Sequence, residues 1–371
     1  MTETPLPRTS TRDPRTLRGQ LEQWLAGTLP VAAEPSISAL EMPSTNGMSS
    51  ETVLFDASWR DDGQARHESM VVRIAPDPEN VPVFPVYDLV RQARTMQLVA
   101  EHTSVPVPHV RWVEPDTAVL GAPFFVMQRV DGVVPPDILP YTFGSWLSEA
   151  STADQQRLQE TTVAVLAELH AIPDAADVLD FLALPGSAPS ALRRHVAAQH
   201  AYYQWVVADG QRSPLLESCF RWLDEHWPAA EGTTVLSWGD SRIGNVIYRD
   251  FEPVAVLDWE MAALGPREVD LAWLIYMHRF FHDIAVDVGL PGMPDLLRRD
   301  LVASDYEART GYTPRDLDFF TMYAALRHGI IMFRIARRAI HFGEAEQPDD
   351  VDDMITHRRA LEAMLAGNYW T

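Results

Sequence analysis

The chain contains no lysine: all 30 of its basic residues are arginine. This removes every Schiff-base mechanism and every lysine general base, and any side chain that grips phosphate by charge must be an arginine. Positive charge as a whole is scarce. The 30 basic residues face 52 acidic ones, a formal net charge of −22, so a nucleic-acid partner is not expected, because phosphate contacts need clustered cations. The acidic excess taken by itself serves solubility. Cysteine is nearly absent. Cys219 stands alone, so no internal disulfide is possible, which fits a reducing compartment, and its stretch reads as core rather than as a nucleophile's setting. Long apolar runs are missing as well. None approaches the ~20 residues of a membrane span, and the nearest, Phe319 to Ile340, is broken by Arg327, Arg334, Arg337 and Arg338. The opening MTETPLPRTSTRDPR lacks the apolar core of a signal peptide. The expectation is a cytoplasmic protein with no membrane partner.

A length of 371 residues suits two domains or one two-lobed unit. After a polar tail over 1–14, Leu17–Leu29 has apolar residues at helical spacing. Ser36–Glu41, Thr52–Trp59 and Ser69–Ile74 then read as short strands of an antiparallel meander, Asp88–His102 as a helix, and His109–Val113 and Pro123–Arg129 as two further strands. Beyond Asp131-Gly132 the texture turns helical: Thr152–Ile172, Ser190–Ala208, Pro214–Trp227, Arg267–Phe281, Asp295–Thr310, Pro314–Phe342 and Pro348–Ala366 all suit helices. One β-like island, Thr233–Leu236, Val246–Tyr248 and Val254–Leu257, interrupts them. The pattern predicts an α+β chain divided into 1–130 and 131–371.

The island carries the chemistry. In VLSWGDSRIGNVIYRDFEPVAVLDWE, Asp240 follows a short apolar strand, Asn245 comes five residues later, and Asp258 ends the strand Val254–Leu257. Phosphoryl transfer needs a carboxylate to orient the attacking hydroxyl and take its proton, and hard oxygens to hold Mg²⁺ against the phosphates. Asp-x₄-Asn followed by a strand ending in Asp supplies both, with the spacing of the protein-kinase catalytic loop. The competing motifs fail. GDSRIG lacks the second glycine of a nucleophile elbow, and His278 and His282, four apart, enclose RFF rather than the pattern of a zinc-binding helix, so they read as structural.

WGDSRIGN and LDWE resemble the catalytic motif of the aminoglycoside phosphotransferase and choline kinase superfamily, usually H-G-D-x₄-N followed by D-[WFP]-E. The resemblance covers most of the chain. It implies a bilobal protein-kinase-like fold, an N-terminal antiparallel sheet lobe and a mostly helical C-terminal lobe, with ATP and Mg²⁺ between them. It makes Asp240 the catalytic base and Asn245 and Asp258 the metal ligands, and puts Glu260 just behind them. Asp270, in GPREVDLAW, becomes a structural partner of the catalytic loop. Pro43–Trp59 resembles the nucleotide loop, with Gly47 and Ser49 at its tip; alone it reads as a turn at Asn46-Gly47. Arg73, in VVRI, stands where kinases carry a strand lysine. Gln92 aligns better than Asp88 with the residue that orients that cation. FFVMQRVDG resembles the hinge, with the backbone of Gln128 to Val130 on adenine and Met127 at the gatekeeper-like end. Trp238 replaces the usual histidine and has a single N–H donor, so packing is expected to brace the loop instead.

The resemblance implies an acceptor that is a small molecule bearing a hydroxyl. Tyr202, Tyr203 and Trp205 could line its pocket, although an aromatic run at helical spacing is more often core. The combination of WGD, a strand arginine and LDWE resembles the branch also found fused to acyl-CoA dehydrogenases, which brings hydroxyacyl compounds in beside aminoglycosides. Arg73 and Trp238 leave a second reading open, a pseudokinase that binds nucleotide or a partner without turnover.

Overall fold

The computed structural model describes residues 12–42, 50–77 and 81–370. They fall into two compact units: unit 1 runs to Glu101 and includes Val107–Asp131, and unit 2 takes His102–Pro106 and everything from Gly132 onward.

Unit 1 opens with α1 (Pro14–Thr28), where the Asp13 carboxylate caps the first turn by accepting from the Thr16 N–H at 2.8 Å. Leu17, Leu21 and Leu25, spaced by four, bury one face of it. The strands β1 (Ser36–Ile37), β2 (Glu51–Asp61) and β3 (Gln64–Ile74) follow, then α2 (Leu89–His102), β4 (Val110–Glu114), the single turn α3 (Thr117–Leu120) and β5 (Phe124–Gln128). They form one antiparallel sheet in the order β1-β2-β3-β5-β4. β2 and β3 pair without a break from Glu51↔Ile74 to Asp61↔Gln64, several residues beyond the apolar stretches that betray them in the sequence. The reason is the turn. Asp62 and Gly63 both take positive φ (46° and 77°), the hairpin geometry that Asp-Gly favours, and it draws polar flanks into register. β5, flanked by β3 and β4, buries Phe124 through Met127 on both faces.

Unit 2 contains α4 (Thr152–Leu169), α5 (Ala175–Val178), α6 (Ala191–Val206), α7 (Pro214–Glu225), β6 (Thr234–Ser237), β7 (Val246–Arg249), β8 (Glu252–Val256), β9 (Ala263–Pro266), α8 (Glu268–Asp287), α9 (Arg299–Thr310), α10 (Leu317–His341) and α11 (Arg358–Leu365). Ser151, Ser190 and Ser213 cap α4, α6 and α7 through their hydroxyls. The first half of α10 is buried all round, as befits a helix packed by α6, α7 and α8. The helix expected over Pro348–Ala366 is split: Val351–Met354 forms one turn, and Ile355, extended and buried, breaks the run before α11. β9 has no counterpart in the sequence reading; it pairs with β6 from Ser237↔Ala263 to Thr234↔Pro266. Among the described residues no helix is long and apolar enough to cross a membrane.

Candidate active site

Three short β segments set the site. β6 delivers the chain into the loop from Trp238 to Asn245, β7 leaves that loop, and β8 returns antiparallel to β7, with Val246 opposite Val256. The Leu257 N–H donates to the Asn245 carbonyl at 2.8 Å, so Asn245 and Asp258 emerge at one end of this hairpin. Asp258 has φ 57°, the left-handed region that Asp tolerates better than most side chains, and Trp259 after it is buried.

Asp240 is held from several directions. The Trp273 indole N–H donates to its Oδ1 at 2.7 Å. The Asn245 amide donates to its Oδ2 at 2.7 Å and to its backbone carbonyl at 3.0 Å. Arg242 Nε lies 3.3 Å from the same carboxylate. Arg242 does not belong to Asp240 alone, because its Nη1 also donates to both oxygens of Asp137, at 2.7 and 2.6 Å. Burial would push this guanidinium's pKa down, but Asp240 and Asp137 outweigh that and raise it. Gly244 makes room for the arrangement, since a Cβ there would lie 2.4 Å from Arg242 Nη1 and 2.7 Å from Asp137 Oδ1.

Beneath the loop lies Asp270. Its carboxylate accepts from Ser237 Oγ (2.8 Å), the Trp238 N–H (2.8 Å), the Gly239 N–H (2.9 Å) and His170 Nε2 (3.1 Å). Gly239 is obligatory, with φ 91° and a would-be Cβ only 2.2 Å from the Met261 carbonyl oxygen. Trp238 is fully buried, and its one indole N–H donates to the Leu257 carbonyl at 2.9 Å. The loop is therefore braced by a directed bond to the strand end that precedes Asp258, and not by packing alone.

In unit 1, Gly47 and Ser49 lie outside the described residues. Arg73 sits on β3, opposite Thr52 and Phe125, and donates to Ser50 Oγ. Gln92 is buried on α2 but, among the described residues, makes no hydrogen bond to Arg73. Ser50, two residues before Arg73's cross-strand partner Thr52, is a diagonal neighbour within reach. At the hinge, part of the backbone is paired within the sheet. The Gln128 N–H is spent on the His109 carbonyl and the Arg129 N–H on Ser69, so Val130 keeps the open backbone amide among the described residues.

Several residues without a role in the sequence reading meet the loop: Trp273, Arg242, its partner Asp137 and, through a bond to the Gly239 carbonyl, Arg327. Arg242 and Trp273 lay inside the informative stretch, and a tryptophan directly after Asp-Leu-Ala was the available signal. The suspected aromatic pocket is core. Tyr203 is fully buried, with its hydroxyl bonded to Ser213 and Glu217, and Tyr202 stacks on Trp205. His278 and His282 are structural, since one donates to the Met293 carbonyl and the other accepts the Met293 N–H.

The chain belongs to the phosphotransferase enzyme family, whose sequence profile matches residues 50–307. Acyl-CoA dehydrogenase family member 10 of Mus musculus is 26% identical over 334 residues, 86% of this chain and 28% of the relative. The chain spans less than a third of the length of the curated relatives it matches first. Among solved structures, a protein of Ralstonia eutropha JMP134, provisionally named an aminoglycoside phosphotransferase, matches with TM-score 0.66 and 23% identity over 95% of this chain and 97% of that one. A thermostable mutant of the aminoglycoside phosphotransferase APH(4)-Ia, in ternary complex with ADP and hygromycin B, matches with TM-score 0.56 and 16% identity, covering 94% of this chain and 98% of that one. These likenesses establish the kinase-like fold, with its N-terminal antiparallel sheet and helical C-terminal part.

Proposed function

We propose that the protein transfers the γ-phosphoryl group of ATP to a hydroxyl of a small molecule. Asp240 is the catalytic base, and Asn245 and Asp258 are the Mg²⁺ ligands. The observation that carries this reading is the Asp240 carboxylate, held by Trp273 and Asn245 at the end of the hairpin where Asp258 also emerges. The donor set fits the metal. Asn245 spends its amide nitrogen on Asp240, which leaves its carbonyl oxygen as the donor, and Asp258 adds a carboxylate. Two hard protein oxygens suit an ion that keeps waters and phosphate oxygens as its other ligands. Bound there, Mg²⁺ would neutralise charge on the phosphates.

Asp240 orients the acceptor hydroxyl and takes its proton as the oxygen bonds to the γ-phosphorus. The bond to the β–γ bridging oxygen breaks, and ADP leaves. In unit 1, Arg73 supplies the phosphate-gripping cation of a chain without lysine, and the Val130 amide serves adenine. For the acceptor, a hydroxyacyl compound is favoured over a polycationic aminoglycoside. Arg242 puts a cation beside Asp240, and its partner Asp137 lies within a segment that exposes Val133, Val134, Ile138 and Leu139. The exposed apolar side chains of that segment suit an acyl chain. The acyl-CoA dehydrogenase names of the relatives point the same way.

ADP release with Mg·ATP, measured on hydroxyacyl compounds, choline-like alcohols and aminoglycosides, tests both parts. Turnover is expected on the hydroxyacyl members, and Asp240→Ala is expected to lower it by about 10²–10⁴-fold. An Asp240→Ala protein as active as wild type removes the mechanism. Nucleotide binding without turnover on any acceptor, by a protein that also keeps its fold, favours the pseudokinase.

A further inference from the structure

Arg327 is an arginine in the wrong place for stability. It lies in the buried half of α10, 2% exposed, and has no carboxylate partner among the described residues. Its Nη2 donates to the Gly239 carbonyl at 3.2 Å, while Nε and Nη1 are buried with no acceptor among the described residues. Arginine's side chain is a planar guanidinium with five N–H donors and no acceptor. A buried charge with one hydrogen bond is unfavourable, and an apolar side chain of similar volume would serve packing better.

What the guanidinium touches is informative. Gly239 immediately precedes Asp240. The Arg327 guanidinium also lies 4.6 Å from the centre of the Trp273 ring, and the Trp273 N–H is the donor to Asp240 Oδ1 at 2.7 Å. A second ring, Tyr323, stands 5.6 Å away and completes the aromatic surroundings. A cation over an indole face is attracted to the ring and draws its electrons, which sharpens the N–H as a donor. Both contacts thus converge on one carboxylate, one through the backbone and one through the indole.

We propose that Arg327 is a positioning residue for the phosphotransfer base: through Trp273 and the Gly239 carbonyl it holds the Asp240 carboxylate in a single orientation. The proposal rests on the reading of Asp240 as the base. Arg327 touches neither substrate nor metal in it; it acts through Trp273 and the loop.

The test labels tryptophan with ¹⁵N and follows the indole N–H signals of the 371-residue chain without substrate, using Trp273→Phe to assign the Trp273 signal. In wild type that signal is expected well downfield of an exposed indole, and Asp240→Asn should move it. Arg327→Met should move it toward the exposed position, with Arg327→Lys intermediate, since an ammonium keeps the charge over the ring but not the fork. In turnover, Arg327→Met should lower kcat by on the order of 10²-fold with both KM values unchanged. Arg327→Lys should restore part of that loss, and Arg327→Met should cost less in a Trp273→Phe background than in the wild type, because only the bond to the Gly239 carbonyl is then left to lose. A wild-type Trp273 signal at the exposed position, or one insensitive to Asp240→Asn, overturns the proposal even if no Arg327 variant folds. So does an Arg327→Met protein whose Trp273 signal stays put, or whose defect lies in KM. The underlying reading fails separately: an Asp240→Asn protein that retains turnover rejects Asp240 as the base, whatever the indole signals show.

Discussion

Asp270 is the most heavily committed side chain of the site, and it shows what a single carboxylate does for a loop. Burial raises its pKa, but the donors from His170, Gly239 and Ser237 outweigh that and hold it below the ordinary 3.8. Its contribution to stability is therefore complete above that value and is lost as pH falls through the lower folded-state value. Asp270→Asn should be severe, because the amide turns one half of a four-bond acceptor into a donor facing other donors. A loss of about 3–5 kcal/mol in urea unfolding is expected, as for other buried charged networks broken at one partner; a loss under 1 kcal/mol would show that the loop does not depend on this carboxylate. This bracing role was readable from GPREVDLAW, as were Asp240, Asn245 and Asp258, because their spacing along the chain is itself the motif. Asp137 and Arg327 were not. They reach the loop from 105 and 88 residues away, through pairings that no local pattern encodes. Arg327 in particular served the sequence reading only as a charge that interrupts an apolar run. The structure buries it, and a charge kept inside a core helix is a sign of function that composition alone does not show.

Among the elements, the contact between the Trp238–Asn245 loop and the β7–β8 hairpin ties Asp240 to Asn245 and Asp258, the proposed base and metal ligands. Trp238 Nε1 to the Leu257 carbonyl is a side-chain bond across that junction, beside the backbone bond from Leu257 to Asn245. Trp238→Phe removes the donor and leaves most of the packing. It should destabilise the protein by about 1–3 kcal/mol, mainly through the unsatisfied carbonyl and the lost ring volume. It should also raise the Mg²⁺ concentration that gives half-maximal turnover, because Asp258 is no longer tied to the loop that carries Asn245. Half-saturation equal to wild type in a magnesium titration would mean the backbone bond alone sets the geometry. The elements themselves were legible where apolar periodicity ran unbroken, as in α2, α6 and α7. They were missed where pairing rather than composition makes the strand: β9 contains Gly265 and Pro266 and is a strand only because β6 lies beside it. Helix ends moved for similar reasons. α8 runs on to Asp287, past the Phe281 at which its apolar stripe was read to stop.

Over the whole molecule, two electrostatic effects predict opposite responses to acid. The net charge of −22 implies self-repulsion that eases as surface carboxylates protonate, which would stabilise the fold as pH falls. Unit 2 argues the reverse. Burial, helped at His195 by the Arg327 charge, lowers the pKa of His195 to about 3. Burial likewise takes His278 and His357 to about 4 and leaves His328 well below 6.5. All four are buried, and each has a ring nitrogen committed to a carbonyl or a tyrosine hydroxyl: Leu264, Met293, Ala325 and Tyr276 respectively for His195, His278, His357 and His328. Between pH 6.5 and these lower values the unfolded chain binds protons that the folded one refuses. Stability is then complete above pH 6.5 and falls on acidification, by up to about 1.4 kcal/mol per pH unit for each histidine. The surface effect is screened within about 8 Å at physiological salt, whereas the buried rings are not. The histidines should win: at 0.15 M salt the urea midpoint should drop steadily between pH 7 and pH 5, before most carboxylates titrate. His357→Gln, whose amide can still donate to the Ala325 carbonyl, should make that drop shallower. A midpoint that holds level or rises over the same range would mean that relief of the surface charge governs the response instead.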